Sequence, residues 1–347
     1  MSIKKSTSSS IPPRGSDRAA PPVWQVGDLV ADRFRVLDLL GSGGLGQVYA
    51  AQDLELNTQV ALKTLRSDFI AGAGARSSLQ REVQLVGQVR HPNLCQVYGL
   101  HWHCWGAARA VPATGSTVGW PVVAMEWLQG ETLEQRLERG GALPPARARQ
   151  VAMDIARALS VLHAAGIVHG DIAASNILLA RDEGGAQRAV VMDFGLARAV
   201  GRDDDDLANL PPGTVAYMAP ERIQGGPSSP ASDLYAAGLV IYQALTGVIP
   251  FLKVELAATL RARLTEEPLP PRLLCRNLEA DFEALLLRCL KRDPSARFAS
   301  AWGFLGALAG ATVGEAAADE LRAPEHGSRA SEEVRGASLR TRAPWER

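Results

Sequence analysis

"HGDIAASN", residues 169–176, sets an aspartate and an asparagine, Asp171 and Asn176, in a run that contains no lysine or arginine. The residues before it, "ARARQVAMDIARALSVLHAAG" at 146–166, repeat apolar side chains at helical spacing. The chain after it continues to "DFGLAR" at 193–198, which supplies a second carboxylate, Asp193. A helix therefore delivers the chain into a polar loop, and a third oxygen-bearing side chain follows shortly after.

Working back towards the N-terminus, "LGSGGLGQVYA" begins at Leu40 and fits G-x-G-x-x-G-x-V through Gly41, Gly43, Gly46 and Val48. A glycine triplet alone also suits ordinary turns and dinucleotide-binding folds. Here the triplet lies between two strand-like runs, "FRVLDLL" (34–40) and "QVYAAQD" (47–53), with no helix opening after it. A hairpin bare of side chains over Gly41, Ser42, Gly43, Gly44, Leu45 and Gly46 can bring its N–H groups onto phosphate oxygens. The next strand, "VALK" at 60–63, carries Lys63, and Glu82 lies in the helical stretch "SSLQREVQLVGQV" at 77–89. A lysine held by that carboxylate would place a point charge on the α- and β-phosphates of a nucleotide; taken alone, the reading of both as solvated surface residues would win. With Asp171, Asn176 and Asp193 following in order, the solvated reading loses. Asp193 and Asn176 are the predicted ligands of a hard cation such as Mg²⁺.

Taken together, these motifs resemble a eukaryotic-type (Hanks-type) Ser/Thr protein kinase, of the sort also widespread in bacteria. The resemblance spans 29–312 and extends to "GTVAYMAPE" (213–221), "SDLYAAG" (232–238) and "CLKRDPSARF" (289–298). It implies an α+β, bilobal protein-kinase fold with a small β-rich N-lobe to about 125, a hinge at 126–130 and a larger, mainly helical C-lobe at 131–312. It also implies transfer of the γ-phosphoryl of ATP, with Mg²⁺, to Ser/Thr hydroxyls of protein substrates. By the same resemblance Asp171 is the catalytic aspartate. "VVAMEWLQG" (122–130) is the hinge, with Met125 as gatekeeper and the backbones of Glu126 and Leu128 on adenine. Leu40, Val48, Ala61 and Leu178 would form the apolar walls around the base. Glu221 is expected to pair with Arg297, and Asp233 to hold the catalytic-loop backbone.

Two positive charges of the family's loop are missing. Gly170 stands where an Arg that receives an activation-loop phosphate is usual, which makes the loop non-RD. The segment "LARAVGRDDDDLANLPPG" (196–213) has no Ser, Thr or Tyr, so the two absences agree and activity without activation-loop phosphorylation is expected. Asp203 to Asp206 read as a solvated run, with a phosphate mimic against a basic group as the alternative. Ala173 replaces the Lys that touches the γ-phosphate. The Ala-Ala resembles tyrosine kinases, yet Ser175 stands where their Arg would be, and Thr214 in "GTVAY" favours the Ser/Thr class. Losing one preorganised donor costs about 3–4 kcal/mol, or ~10²- to 10³-fold in rate, which slows an enzyme without abolishing it. A pseudokinase, meaning a nucleotide-binding interaction module, is the alternative this substitution raises. A small-molecule phosphotransferase fits less well, because such enzymes share "HGD" but lack the "GTVAYMAPE" segment.

Composition narrows the surroundings. Lys plus Arg and Asp plus Glu number 37 each, so no basic field argues for nucleic acid. Cys95, Cys104, Cys275 and Cys289 form no C-x-x-C pair and suit free thiols in a reducing compartment. The first residues lack an apolar stretch of the signal-peptide kind, and a cytoplasmic location is expected. "LYAAGLVIYQALTGVIPFL" (234–252) is uncharged, but Gln243, Gly247 and Pro250 fit a buried core helix ending in a turn better than a membrane span. Phe298 to Gly314 reads as a terminal packing helix. "HWHCWGAARAVPATGSTVGW" (101–120) reads as a long hairpin loop rather than a metal site, since His101, His103 and Cys104 lack a fourth ligand and a recognisable spacing. Residues 1–28 and 313–347 are polar and charged and are expected to be disordered tails.

Overall fold

The structure, a computed structural model, describes residues 23–43, 46–65, 75–104, 119–181, 184–193 and 215–310. The activation segment with Phe194, Gly195 and Thr214, the loop tip Gly44–Leu45, residues 105–118 and 313–347 of the sequence reading lie outside these. The small lobe holds β1 (Leu29–Val30), β2 (Phe34–Gly43), β3 (Gly46–Asp53), β4 (Thr58–Thr64), α1 (Ala75–Gln88), β5 (Val97–His103) and β6 (Trp120–Glu126). The strands form one antiparallel sheet in the order β1-β2-β3-β4-β6-β5. Strand periodicity divides its two faces. Val60, Leu62, Val122 and Ala124 pack with Tyr49, Phe34 and Trp24 in one cluster. The alternate residues Ala61, Val123 and Met125 join Leu79, Val83 and Val86 of α1 in the main core. Leu79, Val83 and Val86 recur at helical spacing, so one stripe of α1 is buried on the sheet. Lys63 shares the second face with Ala61 and stands opposite Val48 on β3.

The larger lobe begins with β7 (Gly130–Thr132), α2 (Leu133–Gly140) and α3 (Pro145–Ala164). A 3₁₀ turn at 174–176 leads into β8 (Ile177–Arg181) and β9 (Gln187–Val191), which form a three-stranded sheet with β7. Five α-helices follow among the described residues: α4 (Pro220–Ile223), α5 (Pro230–Thr246), α6 (Leu256–Thr265), α7 (Ala280–Cys289) and α8 (Ala301–Leu308). The uncharged run 234–252 is mostly α5, and almost all of α5 is buried in the core. Ser229 and Ser232 cap its start reciprocally, and Gly247 ends it with a left-handed φ of 80°. No helix among the described residues is long and apolar enough to cross a membrane.

Bonds across the lobes tie the cleft walls together. Cys95 N donates to Val191 O at 3.0 Å, Val191 N to Asn93 O at 2.9 Å, and Asn93 Nδ2 to Ala189 O at 2.8 Å. The predicted Glu221–Arg297 pair is present, with Arg297 Nη1 and Nη2 donating to Glu221 Oε1 and Oε2 at 2.6 and 2.7 Å. Carbonyls of Lys291, Ala231 and Arg292 take the other N–H groups of Arg297, so all its donors are used.

Four boundaries differ from the sequence reading. Trp24 to Asp28, counted with the N-terminal tail, are tied to the sheet: Trp24 is buried against Tyr49, whose hydroxyl accepts from Trp24 N, and Gly27 N donates to Val36 O, although 25–28 stay exposed. One large ring finding a pocket outweighs the polar composition around it. His101 and His103, read as loop, are strand residues, because their rings pack on Phe34 and Trp24 and burial pushes both below the usual histidine range. The hinge predicted over 126–130 is strand at both ends, since β6 runs through Glu126 and β7 starts at Gly130. The terminal helix starts at Ala301, where the Ser300 hydroxyl accepts from Gly303 N.

Candidate active site

The glycine motif forms the expected hairpin, with Gly41 opposite Val48, Ser42 opposite Gln47 and Gly43 opposite Gly46. Its glycines are needed for different reasons. Gly46 has φ of 146°, and a Cβ there would meet Thr64 O at 1.9 Å, so the fold itself forbids a side chain. A Cβ on Gly41 would meet nothing within 4 Å among the described residues, so its bareness leaves open space beside the hairpin. Gly46→Ala is expected to lower stability by about 1–3 kcal/mol in urea unfolding. Gly41→Ala should stay within ~0.5 kcal/mol of the parent.

The catalytic loop is held by buried polar groups. Asp233, on α5 and 1% exposed, accepts from His169 N and Gly170 N at 2.9 Å each, and its Oδ2 lies 2.9 Å from His163 Nε2. This is the backbone-holding role expected of Asp233. Gly170 has φ of 76°, and a Cβ there would come within 3.3 Å of Ser228 Oγ. That conformation disfavours any L side chain, a local reason for glycine beside the missing phosphate contact. His169, which sequence reasoning passed over, accepts from Asp171 N through Nδ1 (3.2 Å), so Nε2 carries the hydrogen that Met192 O accepts at 3.0 Å. It fastens the start of the Asp171 loop to the strand end that delivers Asp193.

Asn176 closes the same network. Its Nδ2 donates to Asp171 O at 2.8 Å and to Asp171 Oδ2 at 3.3 Å, while Met192 N donates to Asn176 O at 2.9 Å. With Nδ2 turned onto two oxygens, Asn176 Oδ1 faces away from Asp171. Asp193 has φ of 61°, an uncommon left-handed value for a non-glycine residue, and its Oδ2 stands 2.7 Å from Lys63 Nζ. The sheet thus brings the buried Lys63 onto the carboxylate that the sequence assigned to a metal. Glu82, its predicted partner, lies half-buried on α1. Among the described residues no three His, Cys, Asp or Glu gather into a metal cluster. One carboxylate and one amide oxygen form a sparse, hard donor set, the kind that suits Mg²⁺, which keeps waters and binds substrate phosphates.

The predicted base-binding residues are placed by the registers of the two sheets. Ala61 faces Met125, Val48 faces Lys63, and Leu178 on β8 faces Thr132. Ala61 and Met125 are buried, Val48 and Leu178 half-buried, and Leu40 is exposed at the lip. The carboxylate of Glu126 turns to the far side of the hinge, where Oε2 accepts from Gln96 N at 3.2 Å and where Arg90, Tyr98 and Arg188 line an open groove of about 450 Å³. Its side chain is therefore committed away from the base. Ala173, in extended backbone, is 3% exposed within the core, and residues 169–176 bring no cation to the loop.

Two lobes, a sheet above and helices below, meeting at a cleft of this kind are the architecture of protein kinases. Residues 34–303 match the protein kinase domain family, and the chain belongs to it. Serine/threonine-protein kinase PknB of Mycobacterium leprae is 31% identical over 275 residues, covering 78% of this chain and 42% of that protein. Serine/threonine-protein kinase pkn3 of Myxococcus xanthus is 33% identical over 289 residues, covering 82% of this chain and 50% of that protein. The chain thus spans half or less of the length of these relatives. The crystal structure of the Mycobacterium tuberculosis PknI kinase domain superposes with a TM-score of 0.63 at 23% identity, covering 83% of this chain and 99% of that one. That likeness is one of fold.

Proposed function

We propose that the chain transfers the γ-phosphoryl group of ATP, bound with Mg²⁺, to Ser and Thr hydroxyls of proteins. The observation that carries this reading is the pairing of Lys63 with Asp193, whose neighbour Met192 donates through its backbone to Asn176, which in turn donates to Asp171, set against a hairpin whose Gly41 leaves open space. Lys63 and the hairpin amides take the phosphates, with Glu82 as the second carboxylate available to Lys63. Asp193 and Asn176 Oδ1 hold the metal, which supplies charge neutralisation on the phosphates when bound. Asp171 aligns the acceptor hydroxyl and takes its proton late, because a carboxylate is too weak a base to remove it early. Ala61, Val48, Leu40, Met125 and Leu178 enclose the base, with backbone groups of Glu126 and Leu128 on its edge. The four free thiols fit a reducing cytoplasm.

A second reading, a nucleotide-binding interaction module without catalysis, is favoured by one observation: the loop has no cation, and Ala173 is packed in the core where the family carries Lys. Ala173→Lys separates the two. If charge at that position limits the rate, phosphate transfer to a general protein substrate rises, by up to ~10²- to 10³-fold. Transfer that is absent in both forms, with nucleotide binding intact, supports the module instead.

A further inference from the structure

Arg263 and Arg297 are the largest fully buried side chains among the described residues and, unlike Arg297, Arg263 meets no carboxylate among them. From α6 its Nη1 donates to Val215 O and Met218 O at 3.0 Å each, and its Nη2 donates to Ala216 O at 2.7 Å. Its Nε has no partner among the described residues. A buried charge is ordinarily paired, since removing it from water is costly. Three carbonyls of one short loop are an unusual substitute, and they fix that loop at residues 215, 216 and 218.

The same loop is fastened on its other side. Tyr217 Oη donates to Gln243 Oε1 of α5 at 2.6 Å, and the same hydroxyl lies beside the backbone of Ala174, between Asp171 and Asn176. Val215, Tyr217, Met218 and Ala219 are all buried. The loop thus lies between the buried guanidinium of Arg263 and the catalytic loop. The preceding segment, 196–213, offers no hydroxyl to phosphorylate, and Gly170 offers no cation to receive a phosphate.

We infer that Arg263 is a positioning residue for the protein substrate, holding loop 215–219 against the catalytic loop with an internal charge in place of an activating phosphate. This rests on the kinase reading for its kinetic consequence, but not for its structural one. Arginine suits the task because its planar fork reaches several carbonyls at once and keeps its charge when buried, whereas a buried lysine readily loses its proton. Burial does pull the guanidinium of Arg263 below its ordinary value.

The test compares the full chain with R263K and R263Q by hydrogen exchange and by steady-state kinetics on casein. Exchange at 216–219 is expected to accelerate at least tenfold in both variants, with α3 amides unchanged. The KM for casein should rise at least fivefold while the KM for ATP stays within twofold, a split that general destabilisation does not produce. Unchanged exchange at 216–219, or equal changes in both KM values, overturns the inference. Should R263Q fail to fold, R263K carries the comparison. Should the parent transfer no phosphate, the kinase reading fails, and the exchange arm alone decides whether Arg263 holds the loop.

Discussion

Asp171→Asn is expected to slow phosphate transfer by about 10²- to 10⁴-fold, the range that a positioned acid–base group contributes. The substitution preserves size and leaves the backbone contacts of residue 171 in place: its N–H still reaches His169 Nδ1 and its carbonyl still accepts from Asn176 Nδ2. What is lost is one acceptor oxygen for the substrate hydroxyl. Nucleotide affinity should stay within about twofold and the urea midpoint should move little, since surface-facing isosteric changes rarely exceed ~0.5 kcal/mol. Parallel measurement of turnover, nucleotide binding and unfolding checks all three. A loss of binding equal to the loss of rate would show that Asp171 serves the pocket rather than the chemistry.

Arg297→Met is expected to lower stability by about 3–5 kcal/mol, the usual consequence of removing one partner from a buried ion pair. Here the side chain of Arg297 is fully buried while that of Glu221 is 20% exposed, so water can partly rescue the carboxylate but not the three carbonyls left without a donor. A domain with total stability of about 5–15 kcal/mol would lose a large share of it. Glu221→Gln keeps a hydrogen-bond acceptor and should cost less, about 1–3 kcal/mol. The double variant should fall short of the sum, because both changes break the same contact. Urea unfolding of the three variants reads this directly; a loss under ~1 kcal/mol for Arg297→Met would show the pair to be peripheral.

Much of the site is written locally in the chain. Glycine spacing between strand-like runs gave the hairpin, and Asp171, Asn176 and Asp193 stand in short motifs whose order carries the assignment. Asp233 and the Glu221–Arg297 pair were likewise expected and are present. Contacts between distant segments that the family resemblance did not supply were not legible. That Lys63 reaches Asp193 depends on how the small sheet meets the end of β9, and no spacing encodes it. Arg261 and Arg263 look alike in "RARLT", yet the first is exposed and the second is the most deeply buried cation among the described residues, because only one lies on the face of α6 that meets loop 215–219. Gly170 illustrates a partial reading: the sequence explained it by a missing phosphate, and the backbone adds a left-handed φ. Trp24 was counted with a polar tail, and His101 and His103 with a loop between two strand-like runs, whereas ring packing decides where they lie.

The most direct measurement is phosphoamino-acid analysis of casein after incubation of the full chain with γ-labelled ATP and Mg²⁺, beside the Asp171→Asn form. Label on serine and threonine, dependent on the metal and reduced at least a hundredfold in the variant, is the predicted result. Label that does not exceed the variant, or that reaches no protein hydroxyl, contradicts a phosphoryl-transferring cleft built on Lys63, Asp171, Asn176 and Asp193.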